Sequence, residues 1–212
     1  MSNHSIFPNI TDFCAARIAE FDTISIDRQA QLKVLSNYLS EQYQAKKTPQ
    51  VIVICTHNSR RSHLGQLWLA VGADYLGLPQ LSTFSGGTEA TAFNTRAVAA
   101  LKRVGFDIQT NDNSTVSNPK YQIKWSSKTP SYTAFSKKYD TSPNPSSDFA
   151  AIMVCTDADA NCPNVLGMEL RMGLPFEDPK AFDDTNLEAQ MYDERCQQIA
   201  REFLFVLQNV EL

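Results

Sequence analysis

The stretch VIVICTHNSRRS, residues 51–62, decides the fold. Val51 to Cys55 form an unbroken apolar run. Such runs mark strands buried on both faces, the condition inside a parallel sheet. Thr56 to Arg61 form a polar loop. After it, Leu64, Leu67, Trp68, Val71 and Tyr75 recur at helical spacing, so a helix is predicted to start at Ser62. Strand, loop and helix in that order open a βαβ unit.

Working outward, LSTFSG (81–86) reads as a second strand. Asn94 or Thr95 caps a helix carrying Ala97, Val98 and Leu101, and Gly105 stops it. FAAIMVC (149–155) is another buried strand. The last helix is predicted from Thr185, which forms a capping box with Glu188, and its apolar face runs Tyr192, Cys196, Ile199, Phe203, Val206. Between these, residues 107–148 break the alternation. Tyr121, Ile123 and Trp125 alternate like a strand, so the segment reads as an insertion of one hairpin and loops. Before residue 50, Ile10, Phe13, Cys14, Ile18 and Phe21 make one helical stripe. Leu32, Leu35, Leu39 and Tyr43 make a second, with Asp27 as its expected cap. The expectation is an α/β three-layer sandwich around a central parallel sheet. A helical extension (1–49) precedes a catalytic domain (50–212), which carries an insertion at about 110–148.

Composition narrows the function. Of 212 residues, 42% are hydrophobic and 20% charged, which is the balance of a globular chain. A net charge of −4 argues against nucleic-acid binding by bulk charge. No apolar run approaches the roughly 18 residues of a membrane span. The N-terminus lacks the basic start and apolar run of a secretory signal, so a cytoplasmic location is expected. Five cysteines then read as reduced thiols rather than as a disulfide scaffold. Cys14 and Cys196 lie on apolar helical stripes and read as core.

Cys55 is different. It ends a buried strand, and ligand sites in open α/β sheets lie at the carboxyl ends of strands. A loop curling from strand end to helix start turns several amide N–H groups inward, and the helix dipole strengthens that anion nest. The same field favours a thiolate, so Cys55 is the expected nucleophile. Arg61, six positions on, offers a planar fork for two oxygens of a tetrahedral oxyanion. Ser62 is placed to donate to the sulfur. Thr56, His57, Asn58, Ser59, Arg60 and Arg61 are the substrate-binding residues of this reading. Attack on phosphate or an analogue suits the set. The leaving oxygen needs an acid, and Asp178, stiffened by Pro179 in PFEDPK, is the candidate.

VCTDADANCP places Cys155 and Cys162 seven apart. The pair reads as a redox relay, as passive thiols, or as metal ligands. C-x6-C is not a usual zinc spacing, and His4, His57 and His63 are distant in sequence, so no metal is assigned. Seven residues of helix separate Cα atoms by about 10 Å, and a disulfide needs less than about 7 Å. A helical segment here therefore has to unwind to be oxidised.

CTHNSRRS resembles the phosphate-binding loop of low-molecular-weight protein tyrosine phosphatases and of the thioredoxin-coupled arsenate reductases built on that fold. FSGGTEA…N…AVAALKRVGFDI is similar to the strand, helix and turn that follow in both. FEDP resembles the reductases' acid loop, and VCTDADANCP resembles their cysteine pair. The likeness spans about residues 50–110 and 149–207. It implies an arsenate reductase in which Cys55 attacks arsenate, Cys155 attacks the Cys55 sulfur, Cys162 takes over the disulfide, and a thioredoxin-like partner reduces it. No tightly bound cofactor is implied. The alternative is a phosphotyrosine-type phosphomonoester hydrolase using Cys55, Arg61 and Asp178. A third is a redox- or oxyanion-sensing module. His57 stands where the family loop has a glycine serving a special backbone conformation, which histidine tolerates better than most. Asn58 matches the asparagine that braces the loop. Ser85 matches a serine of the reductases' potassium site, but Gln66 replaces a glutamate there, which argues against potassium. In the insertion, Lys120, Lys124, Lys128, Lys137 and Lys138 lie among Tyr121, Trp125, Tyr132, Phe135 and Tyr139. They read as an ordinary solvated hairpin, a recognition surface or a cap over the site.

Overall fold

In the computed structural model, which describes residues 5–110, 112, 115–128, 130–161 and 165–212, the sheet is ordered by how apolar its strands are. The two central strands are β1 (Gln50–Cys55) and β6 (Phe149–Met153). Val51 to Ile54 and Ala150 to Met153 are fully buried, as strands covered on both faces require. The mixed strands β2 (Ser82–Gly87) and β7 (Met168–Gly173) take the edges. The order is β2-β1-β6-β7 and every pairing is parallel, with Ile54 opposite Gly86 on one side and Met153 on the other.

Helices flank this sheet. α3 (Arg61–Leu76) follows β1 and packs on β1, β2 and α6 (Glu188–Gln208). α1 (Pro8–Ile18), α2 (Ile26–Gln44) and α4 (Thr95–Val104) also pack on α6. Ile10, Leu32, Leu35, Trp68, Phe203 and Ile52 belong to one continuous buried cluster. Asn94 caps α4, its side-chain oxygen accepting from the amides of Arg96 and Ala97, and Gly105 ends it at φ +119°. Among the described residues no helix is long and apolar enough to cross a membrane.

Four elements differ from expectation. The cap of α2 is Ser25, whose side chain accepts from the Arg28 amide, and not Asp27, which lies in the first turn. α6 begins at Glu188. Thr185 Oγ1 accepts from the Leu187 amide, and Glu188 Oε2 reaches back to the Asp184 amide at 2.7 Å, so the reciprocal pair closes the preceding turn instead. The insertion holds more than one hairpin: β4 (Tyr121–Lys124) pairs with β5 (Tyr132–Ala134) and also with β3 (Asp107–Thr110), giving a three-stranded antiparallel sheet. β7 was not anticipated as a strand. MELRMG alternates, and only Met172 within it is buried, as befits an edge.

Candidate active site

The chain grows the sheet from β1 to β2 on one side and then from β1 to β6 on the other. That reversal leaves a crevice at the carboxyl end of β1, where ligands bind in open α/β sheets. Cys55 stands at its floor, 4% exposed. Its Sγ lies 3.0 Å from Ser62 Oγ in the first turn of α3. Ser62 Oγ also accepts from Asn58 Nδ2 at 2.9 Å. Among the described residues, the main-chain N–H groups of residues 57–61 have no protein acceptor. A loop with that many free donors at a helix start is an anion cradle.

The loop is held from outside. The Cys55 and Thr56 carbonyls accept from the Thr88 and Glu89 amides, at 3.2 and 2.8 Å. Gly87 makes this approach possible: a Cβ there would fall 2.3 Å from the Glu89 carbonyl oxygen and 2.6 Å from the Asn58 amide nitrogen. Positive φ in the loop occurs at Asn58 (+44°), not at His57. The expectation that histidine would occupy the special conformation is therefore corrected. Asparagine takes it, a residue that tolerates the left-handed region. The His57 ring is half exposed and faces Glu89 at 3.7 Å rather than Asp178, while its carbonyl accepts from Thr91 and Ser136.

Arg61 spans the mouth. Its Nη1 donates to the Phe176 carbonyl at 2.8 Å and its Nη2 to Asp178 Oδ2 at 2.6 Å. Asp178 also caps a short 3₁₀ turn (Pro179–Phe182), accepting from the Lys180 amide. Arg60 lies beside this pair, its Nε 3.8 Å from Asp178 Oδ1. Its Nε donates to the Tyr192 hydroxyl, which donates to Asp183. A cavity of about 500 Å³ opens here, lined by Arg61, Cys155, Thr156, Pro175, Phe176, Glu177 and Asp178.

Cys155 comes two residues after the end of β6. Its Sγ lies 3.4 Å from Thr56 Oγ1 and accepts from the Ala158 amide at 3.4 Å. The residues after it form α5 (Thr156–Asn161), so the segment toward Cys162 starts out helical. Cys162 itself lies outside the described residues. Ser59 is buried and its carbonyl accepts from the Asn94 amide. Cys14 and Cys196 are fully buried, and burial pushes both thiols up to about 12, which makes them inert core residues.

The structure thus gathers Cys55, Thr56, Asn58, Arg61, Ser62, Cys155 and Asp178 around one crevice. Sequence reasoning missed three supporting residues. Tyr192 was read as core, and its ring is buried, but its hydroxyl ties Arg60 to Asp183. Ser136 and Lys137 come from the insertion and touch the loop, with the Lys137 amide donating to Asn58 Oδ1 at 2.8 Å. Lys137 is 4% exposed, and burial lowers its ammonium to about 8. His63, stacked on Phe93 at 4.0 Å, is held neutral first by burial and then by the Lys137 charge.

An arsenate reductase from Staphylococcus epidermidis is 30% identical over 134 residues, covering 63% of this chain and 79% of that protein. The chain belongs to the low-molecular-weight phosphatase and arsenate reductase family. An arsenate reductase from Brevibacillus brevis is 45% identical over a shorter stretch of 69 residues, 32% of this chain and 47% of that one. No family model matches the chain. Among solved structures, a YwlE mutant from Bacillus subtilis superposes with a TM-score of 0.53 at 14% identity, over 76% of this chain and 97% of that one. A low-molecular-weight protein tyrosine phosphatase from T. tengcongensis gives 0.51 at 14% identity, over 77% and 100%. At that identity the likeness speaks for the fold. As a member of this family the chain is an enzyme.

Proposed function

We propose that this enzyme reduces arsenate, with Cys55 as nucleophile and Cys155 and Cys162 as resolving thiols. The observation that carries the reading is the Cys155 sulfur, 3.4 Å from the hydroxyl of Thr56, the residue that follows Cys55. Ile54 is paired with Met153, and the Val154 amide donates to the Ile54 carbonyl at 2.9 Å, so Cys155 comes just past β6 beside the carboxyl end of β1.

The chemistry follows in order. The oxyanion occupies the free amides of residues 57–61 and takes Arg61 in exchange for Asp178. The Cys55 thiolate attacks arsenic, and Asp178 gives its proton to the departing oxygen, which leaves as water. The Cys155 thiolate then attacks the Cys55 sulfur. The sulfur–arsenic bond breaks, its electron pair stays on arsenic, and arsenite leaves as the Cys55–Cys155 disulfide forms. Cys162 attacks Cys155 and frees Cys55. A helix running through both cysteines would hold them too far apart, so in that case α5 has to unwind. A thioredoxin-like dithiol supplies the final two electrons. Ser62 steadies the Cys55 thiolate, and no tightly bound cofactor enters. A reducing cytoplasm would keep the four described free thiols as they are.

The test is arsenate-dependent NADPH consumption with thioredoxin and its reductase, beside hydrolysis of an aryl phosphate. Cys155→Ser is expected to abolish the first and spare the second. Survival of both activities would remove the relay through Cys155, and aryl phosphate hydrolysis without arsenate-dependent NADPH consumption in the wild type would leave a phosphomonoester hydrolase. Either activity surviving Cys55→Ser would remove the nucleophile.

A further inference from the structure

Outside the crevice, residues 136–139 of the insertion are stitched along the oxyanion loop. The Gly87 amide donates to the Lys137 carbonyl and the Tyr139 amide to the Gly87 carbonyl, both at 2.9 Å. Ser136 Oγ donates to the His57 carbonyl at 3.0 Å and accepts from the Thr91 amide at 2.8 Å. Asn118, also in the insertion, clamps Ser136 on both its main-chain groups. The Lys137 amide meets the Asn58 side chain at 2.8 Å.

That last contact fixes a direction. A main-chain N–H only donates, so the Asn58 atom facing Lys137 is its oxygen. The Asn58 NH₂ group therefore faces Ser62 Oγ, at 2.9 Å, and it too only donates. The Ser62 oxygen accepts, and its one proton is free for the Cys55 sulfur at 3.0 Å. We infer that the insertion is a working part of the site, with the main-chain N–H of Lys137 as a positioning group that, through Asn58, aims the Ser62 proton at Cys55. The inference rests on Cys55 being the nucleophile and adds what turns a proton toward its sulfur. An acceptor in place of the Lys137 N–H would let the amide reverse. Ser62 would then donate to Asn58, and the thiolate would lose its partner.

The readout is the pH midpoint of Cys55 alkylation by iodoacetamide, followed by peptide mass spectrometry, which needs no turnover. Lys137→Pro removes the N–H and is expected to raise the midpoint by about one pH unit, the worth of one hydrogen bond to a charged group. Ser62→Ala is expected to do the same, and the double variant is expected to go no further than Ser62→Ala alone. A folded Lys137→Pro protein with the wild-type midpoint, or full additivity in the double variant, would overturn the inference. If proline unfolds the chain, Asn58→Asp replaces it, since aspartate keeps the left-handed backbone and puts an acceptor toward Ser62. Its shift is expected to be larger with Ser62 present than in the Ser62→Ala background, and equal shifts would overturn the inference. Activity retained in Cys55→Ser would instead defeat the functional reading, whatever the midpoints show.

Discussion

Arg61 Nη2 and Asp178 Oδ2 face each other across the crevice mouth at 2.6 Å, so the arginine proposed to bind the oxyanion and the carboxyl proposed to protonate its leaving oxygen form one ion pair. The pair is part-buried, and the Phe176 carbonyl holds the other guanidinium arm. A tetrahedral oxyanion offers Arg61 two oxygens in place of that carboxylate and carbonyl.

Asp178→Asn keeps the shape of this contact and removes the proton donor. The expected result is a fall of roughly 100- to 10,000-fold in kcat for aryl phosphate hydrolysis. The loss should shrink for a good leaving group such as p-nitrophenol and grow for an alkyl phosphate. Steady-state kinetics across a leaving-group series checks it.

Gly87→Ala tests the close approach of β2 to the loop. Its Cβ would fall within 2.6 Å of three main-chain atoms, at Glu89, Asn58 and Thr56. Main chain cannot yield as a flexible side chain does. The variant is expected to lose about 1–3 kcal/mol in chemical denaturation and most of its activity.

Lys137 predicts a pH effect whose sign is fixed. Burial holds its ammonium near 8, below the unfolded value of 10.5. Between those values the unfolded chain binds a proton that the folded chain releases, so this residue makes stability rise with pH there. Below pH 8 the penalty is fully present, on the order of 3 kcal/mol. Lys137→Met keeps the main-chain N–H and is expected to be more stable than wild type at pH 7, with the difference shrinking toward pH 10. Paired urea denaturation curves across that range check it.

His63 acts at the acid end. Its folded-state value lies well below 6.5, so below about pH 6.5 only the unfolded chain takes up the proton, and stability falls as pH falls. His63→Phe retains an aromatic ring against Phe93 and is expected to flatten the acid limb by up to about 1.4 kcal/mol per pH unit. Denaturation midpoints between pH 5 and 7 measure that slope.

What the sequence reveals follows from where the physics is local. Val51 to Cys55 announce a central strand because both faces are apolar, and Asn94 and Gly105 bound α4 because their chemistry acts within one turn. Cys55, Arg61 and Ser62 are legible because eight consecutive residues carry the whole cradle. The misses depend on distant partners. β7 carries the half-polar pattern of an edge, which a loop also carries. β3 becomes a strand only because Tyr121–Lys124 lies beside it. Asn58 rather than His57 takes positive φ, and the oxygen and NH₂ of its side-chain amide are claimed by Lys137 and Ser62. Nothing in KK at 137–138 marks one lysine as buried. Tyr192 shows an apolar ring at a core spacing, and only the fold reveals what meets its hydroxyl.

The most direct measurement is a single turnover of the Cys162→Ser protein with arsenate and no added thiol. One arsenite per chain and a Cys55–Cys155 disulfide, identified by peptide mass spectrometry, are expected. Arsenite without that disulfide, or no arsenite from a folded protein that still hydrolyses aryl phosphate, would contradict the relay.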